Sequence, residues 1–399
     1  MSKRTPHNID AYRERARRRL PLAVFDFLDG GSEDEVTLRE NRAAFAAVRL
    51  RNRIHSSNRP VDLSTTLCGQ SLALPIVLSP VGNSGMLHPD GDRAAAIAAA
   101  ECGALMLMSG GASYSIEEVA AVADPKPWYQ LYPWMGQDFY GPLIDRAAAS
   151  GFRGLVVTVD TPCPANRERD VVNAFVAPPR LTRKSAYEIL SHPRWLGGIL
   201  RHRRVVVKLF ADDPQPTLWN FVGQAKRAGA KMGRTLSRPT WDDLAWIRSR
   251  WDGPMGVKGI TDPDDAGRAV DMGADVVFVS NHGGRQLDGV SAALEALPAV
   301  VDAVHGRADV VLDGGIRRGT DIIKALCLGA NAVGVGRAWA YGLASDGLPG
   351  VRGALDVLRR ELEISLNLLG QPQLAALDRS YLAPSGVPGF KLDFERTYS

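Results

Sequence analysis

The stretch Ser280-Asn281-His282-Gly283-Gly284-Arg285-Gln286-Leu287-Asp288 sets an imidazole and a guanidinium three residues apart, with two glycines between them. It follows Val276-Val277-Phe278-Val279, an apolar run that reads as a buried strand. Glycine lets the backbone turn sharply and lets a ligand approach it closely. Histidine is the side chain best suited to take a proton near neutral pH, and arginine offers a fixed fork for a carboxylate. The pair therefore suits a 2-hydroxy acid or a similar anion. A lone histidine in a polar loop would carry no such reading; its company at a strand end does.

Such residues need a scaffold that presents strand ends to one place. Strand-like runs occur at Ile76–Pro80, Ala104–Ser109, Trp128–Tyr132, Gly154–Asp160, Pro254–Ile260, Ala274–His282, Asp309–Gly315 and Ala332–Arg337. Most are followed by an Ala-rich or amphipathic helical segment, such as Asp92 to Cys102 or Thr320 to Leu328. Eight alternating units predict a (β/α)8 barrel, with an open doubly wound sheet as the rival. Barrels place chemistry at the C-terminal ends of their strands. The eight runs end on Ser79, Ser109, Gln130 with Tyr132, Thr158 with Asp160, Lys258, Ser280 with His282, Asp313, and Gly336 with Arg337. The last two units add glycine-rich turns, Asp313-Gly314-Gly315-Ile316-Arg317 and Gly334-Val335-Gly336-Arg337, each opening a helix. Backbone N–H groups at helix starts bind phosphate, and barrels commonly hold it after strands seven and eight. No G-x-G-x-x-G follows the first strand, which argues against a dinucleotide site of the open-sheet type.

The remaining organisation is a helical lead-in, broken near Leu20-Pro21, and a long insertion from about Arg180 to Pro239 after the fourth strand. All 399 residues are read as a single barrel domain with residues 180–239 as a variable lid or membrane-association loop. Arg180 to Phe210 holds eight Lys or Arg and one Glu, interleaved with Trp195, Leu196, Ile199, Leu200 and Val205 to Val207. That mixture suits either an anionic membrane surface or a solvated lid with apolar anchors. The formal net charge of +4 is too mild to imply nucleic acid, and the four scattered cysteines have no metal-ligand spacing. The Arg-rich N-terminus is not followed by an apolar signal core, and no run is long and apolar enough to span a bilayer. The expectation is a cytoplasmic protein, peripheral on the inner face of the cell membrane if the insertion binds lipid.

SNHGGRQLDG, with VKGI, VVLDGGIRRGTDIIKALCLGA, WYQLY and TVDTP, resembles the FMN-dependent 2-hydroxy-acid oxidoreductases. That family includes glycolate oxidase and the L-lactate and mandelate dehydrogenases; the likeness runs from about residue 10 to 369 and leans towards the membrane-associated, quinone-linked members. The resemblance implies FMN as cofactor, an S-2-hydroxy acid of the mandelate or lactate type as substrate, a quinone or another acceptor for the electrons, and a homo-oligomer, a tetramer in this family. It implies His282 as the base, Asp160 as its orienting partner, Arg285 and Arg167 on the substrate carboxylate, and Tyr132 on its hydroxyl. It implies Lys258 at the flavin N1/O2 edge, and flavin contacts from Pro80, Val81, Gly82, Ser109, Gln130, Thr158 and Ser280. The phosphate and ribose would be held by Asp313, Gly314, Gly315, Arg317, Gly336 and Arg337.

Three positions depart from the glycolate oxidase pattern. Phe27 in LPLAVFDF stands where the family usually has a tyrosine that also touches the carboxylate, and Gly111 in SGGAS replaces a pocket tryptophan. Gly82 in SPVGNSG replaces an alanine, a change the resemblance associates with slow reaction with oxygen. Phe27 and Gly111 together point to a roomy pocket for an aryl or otherwise bulky acid. Alternatives are a soluble oxidase releasing hydrogen peroxide, an FMN enzyme of the mycofactocin-maturation type acting on a peptide-derived substrate, and a non-catalytic flavin barrel. The arginine at 285 argues against the second, and the full set of polar residues against the third.

Overall fold

The computed structural model describes residues 5–55, 58–173, 182–203, 208 and 238–383. Eight parallel strands close on themselves: β1 (Ile76–Leu78), β2 (Leu105–Met108), β3 (Trp128–Leu131), β4 (Leu155–Thr158), β5 (Met255–Ile260), β6 (Val276–Ser280), β7 (Asp309–Asp313) and β8 (Ala332–Val335), with β8 pairing back onto β1. Each strand is buried along nearly its whole length. That explains why the sequence shows unbroken apolar runs and no alternation: one face fills the barrel and the other meets the helices. The barrel interior is packed with Val77, Leu105, Leu107, Trp128, Val156, Val276, Phe278, Val311 and Ala332. Leu67 and Leu72, from a hairpin formed by Thr65–Leu67 and Gln70–Leu72, join this cluster. The hairpin is tied to the start of β7, where the Cys68 amide donates to Asp309 at 2.6 Å, so it closes the N-terminal end.

The lead-in comprises α1 (Ile9–Arg19), α2 (Leu22–Asp29) and α3 (Val36–Ala47). Asn8 caps α1 by accepting from the Ala11 amide at 2.7 Å. Pro21 separates α1 from α2, the break expected at a residue without an N–H. These helices are stitched to the loop after β6. Asp288 accepts from the Val36 and Thr37 amides at 3.0 and 2.8 Å, supplying from a distance the N-terminal cap that α3 lacks locally. Asn41 and Asn281 exchange amide hydrogen bonds at 2.8 and 3.0 Å, and the Ser32 amide donates to the Gly284 carbonyl.

Helices α4 (Gly91–Cys102), α5 (Ile116–Ala120) and α6 (Gln137–Ala149) follow β1, β2 and β3. After β4 come α7 (Glu168–Val172), α8 (Arg183–Ser191) and α9 (Pro193–His202), before α10 (Trp241–Arg250) resumes the alternation. The remaining units are α11 (Pro263–Asp271), α12 (Ala293–Val304), α13 (Gly319–Cys327) and the long α14 (Arg337–Leu369). Helix α9 is seated by Ile199, which is buried, and by Trp195, whose indole donates at 2.7 Å to the Met86 carbonyl in the single helical turn Ser84–Leu87 after β1. The rest of the 180–239 insertion, including Val205 to Val207, lies outside the described residues. Among the described residues, no helix is long and apolar enough to cross a membrane.

Candidate active site

His282 lies two residues beyond β6 with φ of 56°, in the left-handed region, and Gly283 and Gly284 continue that conformation. A side chain held there is uncommon and strained, and such residues concentrate at functional sites. The turn is also crowded. A Cβ on Gly284 would lie 2.6 Å from the Leu38 amide nitrogen of α3, so glycine is required by space as well as by conformation. The imidazole Nδ1 faces Asp160 Oδ1 at 3.0 Å, just past the end of β4. Gly259 on β5, at φ of 102°, makes that approach possible, since a Cβ there would sit 2.5 Å from the Asp160 carboxyl carbon. Burial lowers the His282 pKa below the usual imidazole range, with Lys258 and Arg167 acting in the same direction and Asp160 opposing them. The ring is therefore neutral near pH 7. Its Nε2, without a hydrogen-bond partner among the described residues, is the nitrogen able to accept a proton.

Two arginines lie beside this pair. Arg285 Nη1 donates to the carbonyls of Phe27 at 2.7 Å and Gly30 at 3.0 Å, and its guanidinium stacks over the Phe27 ring at 5.1 Å. Arg167, just before α7, donates from Nε to the Arg285 carbonyl and from Nη2 to Gln286 Oε1, both at 3.2 Å. Gln286 in turn donates to the Asp160 carbonyl at 2.9 Å. No carboxylate forms an ion pair with either arginine among the described residues. Burial, with Arg167 and Arg337 nearby, pushes the Arg285 pKa well down, and burial also lowers that of Arg167. Both groups stay charged, so the site is a desolvated cationic corner that an entering carboxylate would relieve. Tyr132 is stacked on Trp134 with ring centres 4.1 Å apart, and its phenol pKa is raised by burial and by Asp160.

A second network occupies the ends of β5, β6 and β7. Lys258 Nζ lies 2.6 Å from Asp313 Oδ2 and donates to Ser280 Oγ at 2.8 Å. Ser280 donates to Asp313 Oδ2 at 2.8 Å, and Ser79 donates to Asp313 Oδ1 at 2.6 Å. Burial pushes Asp313 up, but Lys258 and the two hydroxyls outweigh it and hold the carboxyl at about 2. Across the barrel mouth, Gln130 Oε1 accepts from the Gly110 amide at 3.1 Å. Gln130 Nε2, Thr158 Oγ1 and Arg317 Nε are buried with no partner among the described residues. Orphaned buried polar groups are costly, and these three sit on β3, on β4 and in the loop after β7. Helix α14 begins at Arg337 without a side-chain cap, leaving first-turn N–H groups open beside Gly336. A flat polar ring system with a phosphate tail fits donors so arranged, as FMN requires.

Pro80 and Val81, half-buried, follow β1. Gly82 and Gly111 meet backbone to backbone: a Cβ on Gly82 would lie 3.4 Å from the Gly111 carbonyl oxygen, and the Asn83 amide donates to that same oxygen at 2.8 Å. Gly314 and Gly315 have φ of 138° and 81°, and Gly315 packs so closely on Asn41 that no side chain would fit. Two groups are engaged elsewhere than at an open phosphate site. The Arg317 and Arg318 amides both donate to Asp321, and Arg337 donates to the carbonyls of Leu28, Gly30 and Gly283. Ser79, Trp134, Gln286 and the carbonyls at the end of α2 were not singled out as site residues from the sequence. Ser79 and Gln286 were visible there as a strand end and a motif member; a backbone carbonyl carries no residue signature.

Known proteins resemble this chain over nearly its whole length. The chain is 40% identical over 386 residues to an L-lactate oxidase of Nostoc, covering 95% of this chain and 98% of that one. It is 40% identical over 368 residues to an L-lactate dehydrogenase of Pectobacterium atrosepticum, covering 91% and 93%. Among solved structures, the monotopic membrane protein (S)-mandelate dehydrogenase superposes with a TM-score of 0.88 at 34% identity, covering 94% of this chain and 99% of that one. The family model described as FMN-dependent dehydrogenase matches residues 16–384, so that a barrel whose strand ends bring a histidine–aspartate pair beside two arginines belongs to the FMN-dependent dehydrogenase family.

Proposed function

We propose that this enzyme oxidises an S-2-hydroxy acid to the 2-keto acid, and that the observation carrying this reading is the His282–Asp160 pair set against two half-buried arginines that form no ion pair among the described residues. FMN, when bound, supplies the two-electron acceptor. His282 Nε2 takes the substrate proton, and Asp160, held at Nδ1, fixes the tautomer and stabilises the imidazolium. Arg285 and Arg167 grip the carboxylate, and Tyr132 hydrogen-bonds the hydroxyl. Lys258, Gln130, Thr158, Ser109 and Ser280 would hold the flavin ring with the backbone of Pro80 to Gly82. Asp313, Gly314, Gly315, Arg317, Gly336 and Arg337 would hold its ribityl phosphate.

Phe27 and Gly111 favour a bulky substrate of the mandelate type. Phe27 offers a ring face where a hydroxyl would otherwise stand, and the contact between Gly111 and Gly82 leaves side-chain volume free. Anaerobic bleaching of the flavin by a panel of hydroxy acids tests the reaction and ranks substrates; no bleaching by any of them refutes the reading. Arg285→Lys should raise KM at least tenfold, because an ammonium cannot reproduce the fork.

The proposed acceptor is a membrane quinone. Val171, Val172, Tyr187, Leu190 and Leu200 are exposed on α7, α8 and α9, among the exposed Arg183, Arg194 and Arg201. Apolar side chains rimmed by arginines suit an anionic bilayer surface, each cation adding about 1 kcal/mol. Slow reoxidation by oxygen and salt-sensitive binding to anionic vesicles are expected; stoichiometric peroxide without vesicle binding would make it a soluble oxidase, as the likeness to an L-lactate oxidase allows. A homotetramer is proposed from the family resemblance and is checked by light scattering.

A further inference from the structure

Arg285 and Arg337 are both half-buried, and neither forms an ion pair with a carboxylate among the described residues. Their counter-dipole is the C-terminal end of α2, where a helix leaves carbonyls without intrahelical partners and carries partial negative charge. Arg285 takes the carbonyls of Phe27 and Gly30; Arg337 takes those of Leu28 at 3.1 Å and Gly30 at 2.7 Å, with Gly283 at 2.9 Å. Carbonyls orient a guanidinium without neutralising it, so the charge stays available to a ligand. This use of α2 needs its last turn to be immobile.

Asp29 supplies that immobility. Its buried carboxylate accepts from Arg13 Nε and Nη2 at 2.6 and 2.7 Å, from the Tyr341 hydroxyl at 2.6 Å and from Arg169 Nη1 at 3.3 Å. Tyr341 lies one turn beyond Arg337 on α14, and Arg169 lies two residues beyond Arg167 on α7. Arg169 also reaches Asp26 and Glu35, and Asn173 donates to Asp26 at 2.7 Å. One carboxylate thus ties α2 to the elements that carry two arginines of the site, Arg167 and Arg337.

We propose that Asp29 is a positioning residue for the ligand-binding arginines: it locks the last turn of α2, whose carbonyls aim Arg285 and Arg337. The proposal rests on the reading of Arg285 as the carboxylate grip. Holoenzyme carrying Asp29→Asn should show KM for its hydroxy acid, and the Kd of oxalate followed by the flavin spectrum, both raised about tenfold. Turnover should stay within about threefold, because His282 and Asp160 are held by other elements. Asp29→Glu, which keeps the charge, should recover most of the loss, and Tyr341→Phe should show a smaller shift in the same direction. A lowered melting temperature with KM and oxalate binding unchanged would reduce Asp29 to a structural role and overturn the proposal. So would loss confined to kcat. Should Asp29→Asn fail to fold, Tyr341→Phe and Arg13→Lys carry the same test, and unchanged oxalate binding in both overturns it. Arg285→Lys separates the two readings: intact oxalate binding there sinks the carboxylate grip itself, whereas weakened binding there beside intact binding in the Asp29 and Tyr341 variants sinks only the positioning role.

Discussion

In the proposed reaction the base is one imidazole, His282, whose protonation is set by its surroundings. A base must be unprotonated to act, so activity is full above the His282 pKa and falls as pH drops through it. Because burial lowers that pKa, the acid limb of kcat/KM should lie below the ordinary histidine value of about 6.5. Asp160 opposes the shift, so Asp160→Asn should move the limb to lower pH while cutting turnover by about 10²–10⁴ through loss of the tautomer lock. A limb that moves upward would show that Asp160 is not the controlling neighbour. Replacing the base calls for a residue tolerated at φ of 56°, and asparagine is better suited than alanine. His282→Asn should keep FMN and lose about 10²–10⁴ in the rate of flavin reduction, measured by stopped flow. At Phe27 the prediction concerns selectivity: Phe27→Tyr should improve kcat/KM for small acids over aryl ones, by up to about tenfold, if the new hydroxyl reaches the carboxylate.

Among the elements, the eight strands were legible in the sequence because burial on both faces writes each as an apolar run, and the polar residue that ends it marks the barrel mouth. The seats of His282, Asp160, Arg285 and Lys258 were legible for the same reason. The lead-in was legible only as helix. That its last turn holds two guanidinia follows from backbone carbonyls, which every residue has, and no side-chain pattern announces them. Likewise Phe27 reads in the sequence as a missing hydroxyl, whereas the fold uses its ring as a face for Arg285. The insertion was legible in composition and in Trp195, but not in where that indole would land. Its hydrogen bond to Met86 predicts that Trp195→Ala loosens α9 from the barrel, weakening vesicle binding severalfold while leaving turnover with a soluble acceptor within about twofold. Equal losses in both assays would instead make α9 part of the catalytic architecture.

At the scale of the whole molecule, buried carboxyls set opposing dependences of stability on pH. Asp29 and Asp313 are held at about 2, below the value of about 3.9 for an unfolded aspartate. Their contribution is complete above that unfolded value and is lost as pH falls through about 2. Asp92 behaves in the opposite sense. It is buried in α4, accepts from the Ser113 amide at 2.9 Å, and burial raises it to about 6. Its folded state favours the neutral acid, so stability declines as pH rises from about 4 to about 6, by roughly 3 kcal/mol for a shift of about two units. Asp92→Asn should remove that decline and raise the melting temperature at pH 7 more than at pH 4. An equal change at both values would mean that the carboxyl is not titrating within the fold.

The contact between Gly82 and Gly111 has a consequence for engineering. The family resemblance ties the first position to the electron acceptor and the second to substrate size, yet the two backbones share one small volume. A methyl group added at 82 meets the peptide of 111, and a side chain added at 111 would sit 3.5 Å from the Cα of 82. Selecting variants for oxygen reactivity and for substrate range is therefore a coupled search, in which single-site libraries miss the productive combinations. Double substitutions at 82 and 111 should depart from additivity by about 0.5–3 kcal/mol in kcat/KM, as residues in contact commonly do. A lineage that shifts its acceptor by a change at one of these glycines would carry its substrate preference along with it.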